Sequence, residues 1–202
     1  MKKKIIITGG LGYIGTELCK LYSGVSWNNE IIIIDNRFVS ERVNQIRNWN
    51  MEFVHGDILD KDLITKYCTD ADVIHHLAGI TEVPRTKSEA NEIQDEKIKT
   101  VAEEGTQNIL DVITDKCKII FPSTHVVYEG IEKIQNEISE DEEVKPILSY
   151  SNSKALNEKQ LKQSGKNYII LRLGSVYGYS TDTARIDIMP NLFSKITSQD
   201  GT

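Results

Sequence analysis

The chain of 202 residues reads as an α/β protein built on a doubly wound parallel sheet. Three observations predict that class. Short apolar runs alternate with helical stretches along almost the whole chain. The runs are continuously apolar, as strands covered on both faces are. The first run also breaks into a glycine-rich turn that opens a helix.

Residues 4–8 are a short isoleucine-rich run, read as the first strand. A helix follows over 12–22, with Ile14, Leu18 and Leu21 on one face. Residues 30–35 hold four consecutive isoleucines, a second strand buried on both sides. A short helix is expected over 41–49, a third strand over 51–55, a second short helix over 60–68 and a fourth strand over 72–77. One long helix spans 88–114, with Ile93, Ile98, Val101, Gly105, Ile109 and Val112 near helical spacing. A fifth strand (117–121), a helix (149–163), a sixth strand (167–173) and a last helix (188–197) complete the pattern. The acidic stretch 137–143 is a solvated loop. There is no internal repeat and no low-complexity tract.

Composition narrows the function. Hydrophobic residues make up 39% and charged residues 27%, ordinary for a soluble globular protein. A net charge of −6 offers no basic field for nucleic acid or anionic lipid. Cys19, Cys68 and Cys117 are odd in number and widely spaced, with neither metal-ligand spacing nor a disulfide framework, so reduced thiols in a cytoplasmic protein are expected. The apolar run Ile5-Ile6-Ile7 is too short for a signal peptide, and no run is long enough to span a membrane.

Gly9, Gly12 and Gly15 follow the first strand with G-x-x-G-x-x-G spacing. Glycine permits the tight turn and lets a pyrophosphate approach the helix N-terminus, where free N–H groups and the helix dipole favour negative charge. Asp35 ends the second strand, 20 residues after Gly15. A carboxylate there accepts from ribose hydroxyls and repels a 2′-phosphate, favouring NAD over NADP. Arg37, two residues on, softens that preference. Asp57 closes the third strand, where it can meet an adenine amino group. Leu77-Ala78-Gly79 closes the fourth, where small residues admit a cofactor. His75 and His76 are neighbours on one strand, so they point to opposite faces and chelate one ion poorly. They are read as packed histidines, and no metal is expected.

Tyr150 and Lys154 form Y-x-x-x-K at a helix start, which places them on one face about one turn apart. A free tyrosine has a pKa near ~10, too high for a base at neutral pH. A neighbouring lysine cation and an oxidised nicotinamide both favour the phenolate, at ~1.4 kcal/mol for each pKa unit. Ser123-Thr124 follows the fifth strand and brings hydroxyls to the same sheet edge.

With these motifs in this order, the sequence resembles the extended short-chain dehydrogenase/reductases, in the NAD-dependent epimerase/dehydratase branch typified by UDP-glucose 4-epimerase. The resembling segments are Thr8–Gly15, Asp35-Asn36, His55–Ile58, His76–Gly79, Glu104–Thr106, Phe121–Tyr128, Tyr150–Lys154 and Leu171–Gly178. The resemblance implies a Rossmann-type sheet with NAD held by Gly9, Gly12, Tyr13, Ile14, Gly15, Asp35, Asn36, Asp57, Ile58, Leu77, Ala78, Gly79, Tyr150 and Lys154. It makes Tyr150 the proton acceptor and Lys154 the group that orients the nicotinamide ribose and lowers the tyrosine pKa. Thr124 hydrogen-bonds the reacting sugar hydroxyl, and Ser175 faces the nucleotide-sugar. The implied activity is nucleotide-sugar epimerisation, an isomerase reaction in which hydride leaves a sugar carbon and returns to its opposite face. The alternatives are an NAD(P)-dependent oxidoreductase of the same family and a non-catalytic NAD-binding module. A homodimer is implied through the 88–114 helix and the Tyr150 helix.

Several positions depart from the family pattern. His125-Val126 stands where sugar dehydratases carry acidic residues, which disfavours dehydration. Ala102 replaces an asparagine of the long helix, and Glu129 intervenes between Tyr128 and Gly130. The chain is also short. Residues 1–180 are expected to be the NAD-binding domain and 181–202 the start of a substrate-binding domain that is largely missing.

Overall fold

The computed structural model describes residues 2–81, 91–132, 137–180 and 188–200. Among them, six strands form one parallel sheet: β1 (Lys4–Thr8), β2 (Glu30–Asp35), β3 (Glu52–His55), β4 (Val73–His76), β5 (Lys118–Thr124) and β6 (Asn167–Leu173). Their spatial order is β3-β2-β1-β4-β5-β6, with every neighbouring pair parallel. The order reverses between β1 and β4, the switch point at which such sheets bind ligands beyond their carboxyl ends.

The isoleucine runs explain the layering. Successive side chains on a strand point to opposite faces. Ile6, Ile32, Ile34 and Ile74 therefore enter one core cluster, with Ile64, Ile109 and Leu161 from helices α3 (Lys61–Cys68), α4 (Glu92–Val112) and α5 (Ser149–Gln163). Ile5, Ile7, Ile31 and Ile33 enter the other, with Cys19 of α1 (Tyr13–Tyr22) and Val43 and Ile46 of α2 (Ser40–Asn48). A sixth helix, α6 (Met189–Asp200), follows residues 181–187, which lie outside the described residues along with the expected domain boundary.

Some elements differ from the sequence expectation. A 3-10 helix, Ser23–Asn28, joins α1 to β2. The long helix is described from Glu92, where the Asn91 side chain caps it by accepting from the Ile93 amide. Its expected start at 88 lies outside the described residues. It ends at Val112 because Ile113 is extended. β5 runs through Pro122 to Thr124, past the expected end at 121. Its pairing with β4 stops at Ile120, so beyond that point, among the described residues, only β6 pairs with it. A proline is tolerated there, since its missing N–H faces no ladder partner. β6 is not covered on both faces: Tyr168, Ile169 and Leu171 are 36%, 40% and 43% exposed.

Candidate active site

The glycine turn lies at the carboxyl ends of β1 and β4. Gly9 has φ +70°, and a Cβ there would stand 2.7 Å from the Ala78 nitrogen. A Cβ on Gly15 would meet the Gly9 carbonyl oxygen at 2.4 Å and the Gly10 Cα at 2.6 Å. The turn is thus packed backbone to backbone, and only glycine fits at either position. Gly12 is the N-cap of α1. Gly12 has no side chain with which to cap that helix, and no acidic residue stands in its first turn. Helix N-termini of this kind favour anions such as a pyrophosphate. A Cβ on Gly79 would meet nothing within 4 Å among the described residues.

Asp35 is buried at the end of β2. Its Oδ2 accepts from the Leu11 amide at 2.8 Å and its Oδ1 from the Arg37 amide at 2.9 Å. The carboxylate therefore also shapes the turn. A carboxylate offers about four lone-pair sites, so capacity remains for ribose hydroxyls. The Arg37 guanidinium nitrogen Nε stands 3.7 Å from Oδ1. Asn36 donates to the Asp57 carboxylate at 2.9 Å, and the Leu59 amide donates to its other oxygen at 3.0 Å. Ile58 sends its side chain into the core against Gly105. The Leu77 amide donates to the Thr8 carbonyl at 3.1 Å, and the Ala78 amide to Thr8 Oγ1 at 3.2 Å. Ile14 is 36% exposed at the start of α1. Tyr13 reaches away from the turn: its hydroxyl donates to the Gly178 carbonyl and accepts from the Asn191 amide nitrogen at 3.2 Å.

On the other side of the edge, α5 presents Tyr150 and Lys154. Lys154 is buried, and its Nζ donates to the Pro122 carbonyl at 2.9 Å. The same nitrogen lies 4.5 Å from the Phe121 ring centre and 5.9 Å from that of Tyr150. Burial pushes the lysine pKa down to about 8, which still leaves it largely cationic at neutral pH. Thr124 is buried two residues beyond Pro122, where its Oγ1 accepts from the Val126 amide at 3.3 Å. Its hydroxyl proton is then the part that can address a substrate oxygen. Ser175 stands exposed in the segment after β6. Together, the glycine turn and Asp35 on one side and Thr124, Tyr150 and Lys154 on the other all belong to the carboxyl edge of the sheet.

The two histidines point to opposite faces. His75 Nε2 pairs with the Tyr22 hydroxyl at 2.7 Å. His76 pairs through Nδ1 with Thr8 Oγ1 at 2.9 Å and through Nε2 with Thr106 Oγ1 at 3.0 Å. Asn157 Nδ2 donates to Thr106 Oγ1 at 2.9 Å and to the carbonyl of Ala102 at 2.8 Å. A buried chain of hydrogen bonds therefore joins β1, β4, α4 and α5.

Sequence reasoning missed Asn157 and the neighbouring Glu158. Glu158 takes the Arg172 guanidinium at 3.0 and 2.7 Å and the Ser123 hydroxyl at 2.6 Å, binding β5, β6 and α5 together. Burial raises its carboxyl, but the hydrogen bonds from Arg172 and Ser123 and the charges of Arg172 and Lys162 outweigh that and hold it below the ordinary value. The available signal was spacing, since both residues lie within one helical turn of Lys154. The three cysteines are buried free thiols, and burial pushes Cys19 and Cys68 up to about 12 and Cys117 up to about 11.

Comparison with known proteins identifies the family. The NAD dependent epimerase/dehydratase family matches residues 5–200. The chain belongs to that family, and NAD is its cofactor. A putative UDP-glucose 4-epimerase of Methanocaldococcus jannaschii is 34% identical over 186 residues, covering 88% of this chain and 57% of its own. A CDP-paratose 2-epimerase of Salmonella typhi is 35% identical over 142 residues, covering 64% of this chain and 39% of its own. Among solved structures, a UDP-N-acetylglucosamine 4-epimerase from Methanobrevibacter ruminantium, in complex with UDP-N-acetylmuramic acid, superposes with a TM-score of 0.76 at 26% identity. It covers 98% of this chain and 64% of its own. The chain thus spans 39% to 57% of the length of those two curated relatives. Among the described residues, no helix is long and apolar enough to cross a membrane.

Proposed function

We propose that the chain is the NAD-binding and catalytic part of a nucleotide-sugar epimerase. One observation carries the reading: the Lys154 cation is tied to the end of β5 that bears Thr124 and lies 5.9 Å from the Tyr150 ring centre. Tyr150 takes the proton of the sugar hydroxyl at its phenolic oxygen and later returns it. Lys154 favours the phenolate by its charge, bringing the base toward working pH. Thr124 donates its hydroxyl proton to the reacting oxygen, and Ser175 contacts the nucleotide-sugar. Gly9, Gly12, Gly15 and Asp35 hold the dinucleotide, with Asn36 and Asp57 at the adenine end and Leu77–Gly79 along its path. NAD supplies a reversible hydride acceptor when bound. His125 carries no acidic group into this site and instead pairs with the Leu173 carbonyl at 3.1 Å, which argues against dehydration.

A cytoplasmic location fits the three free thiols. A homodimer through α4 and α5 fits the exposure of Ile93, which is 83% open on α4.

The test is turnover of a panel of UDP-, CDP- and dTDP-sugars by the chain and by Tyr150→Phe, with NAD affinity measured alongside. The variant should lose about 10²- to 10⁴-fold in kcat, the usual worth of a general acid–base, with NAD binding intact. Equal turnover by both proteins refutes the assignment. Accumulating NADH marks an oxidoreductase instead, and NAD binding without turnover of any sugar marks a binding module.

A further inference from the structure

α5 begins behind Leu148, an N-cap residue whose side chain offers no acceptor. The N–H groups at a helix start need partners from elsewhere. Ser151 Oγ accepts from the Leu148 amide at 3.1 Å. A second acceptor comes from the residue that interrupts the family's tyrosine–glycine step. Glu129 Oε1 accepts from the amides of Ile147 and Leu148, each at 2.7 Å, and from the Ser151 hydroxyl. Tyr150 lies between Leu148 and Ser151, so the carboxylate grips the chain on both sides of it. A carboxylate here also meets the positive end of the helix dipole.

Glu129 is itself anchored. It closes the 3-10 turn His125–Tyr128, which starts directly after Thr124, and its amide donates to the Val126 carbonyl at 3.1 Å. The Gly130 amide donates to the Lys145 carbonyl at 2.8 Å, and the Lys145 amide to the Val127 carbonyl at 2.8 Å. Burial raises the Glu129 carboxyl, but the hydrogen bonds from Ser151, Leu148 and Ile147 outweigh it and hold the group below its ordinary value. It is an anion at neutral pH.

We propose that Glu129 is a positioning residue for Tyr150: it ties the first turn of α5 to the turn after Thr124 and so sets the phenol against the threonine hydroxyl. The proposal rests on the reading of Tyr150 as proton acceptor. Its test compares Glu129→Ala and Glu129→Gln with the parent chain. Glutamine keeps the Oε1 acceptor and alanine does not.

In Glu129→Ala, hydrogen exchange at the amide of Ile147, which loses its acceptor, should speed up by about tenfold, as expected when a net hydrogen bond is lost. kcat should fall by about 10- to 100-fold, the cost of a misplaced catalytic group. KM and NAD affinity should stay within about twofold of the parent's, and Glu129→Gln should regain most of kcat. Unchanged exchange, unchanged kcat, a parallel loss of NAD affinity, or a glutamine variant as slow as alanine each overturns the proposal. If the parent chain turns over no nucleotide-sugar, the proposed function fails separately. The phenol then decides, titrated by absorbance in the NAD-bound protein against Tyr150→Phe. A shift of about half a pKa unit or more in Glu129→Ala supports positioning, and an unmoved titration overturns it.

Discussion

His76 should make the fold acid-sensitive well above the range in which carboxylates titrate. Its ring is enclosed between β4 and α4, and both nitrogens are engaged by threonine hydroxyls. Burial, and then the Lys154 cation, push its pKa from 6.5 down to about 3. Between those values the unfolded chain takes a proton that the folded chain refuses. The unfolded state thus binds more protons, and stability falls as pH drops through 6.5. The slope approaches ~1.4 kcal/mol per pH unit. Integrated from about pH 7.5 to about pH 5, the loss is about 2 kcal/mol. The assay is urea unfolding of the parent chain and His76→Asn across that range. Asparagine shifts the whole curve but does not titrate. The other groups, including His75, which burial also depresses, cancel in the difference between the two proteins. A difference that stays flat with pH would show His76 protonating inside the fold near its ordinary value, and would refute the reasoning.

Two further outcomes follow from the geometry. Gly15→Ala forces a methyl against the Gly9 and Gly10 backbone, so it should cost about 1–3 kcal/mol of stability, and NAD affinity by calorimetry should drop at least about tenfold. Unchanged affinity would show that the turn is not the pyrophosphate site. Sedimentation of the chain at micromolar concentration should give a dimer that Ile93→Glu shifts toward monomer; a parent chain that is monomeric throughout removes the α4–α5 interface.

Much of the architecture was legible because the signals were local. The run Ile31–Ile34 feeds both core layers, so its burial on two faces is written directly as consecutive isoleucines. Glycine spacing announced the tight turn after β1 for the same reason: a backbone packed against itself leaves no choice of residue. β5 was cut short at Phe121 because Pro122 normally punctuates a strand, and nothing local says that β4 has already ended beside it. Asn157 and Glu158 escaped because their partners, Thr106 and Arg172, arrive from other elements. Glu129 looked like an interruption for the same reason, since the amides it accepts from lie 18 and 19 positions ahead.

The continuation of β5 beyond its last β4 partner has a mechanical meaning. From Ile120 to Thr124 the strand projects four residues past the shared ladder, a cantilever of about 13 Å. β6 supports one side of this beam. On it, at Pro122, Lys154 takes the main-chain carbonyl and acts as a guy-line. The lysine proposed as the cation beside the phenol also steadies the arm that carries Thr124. Replacing Lys154 is expected to remove a cation and slacken the arm at once, so charge and support at this end of β5 are lost together.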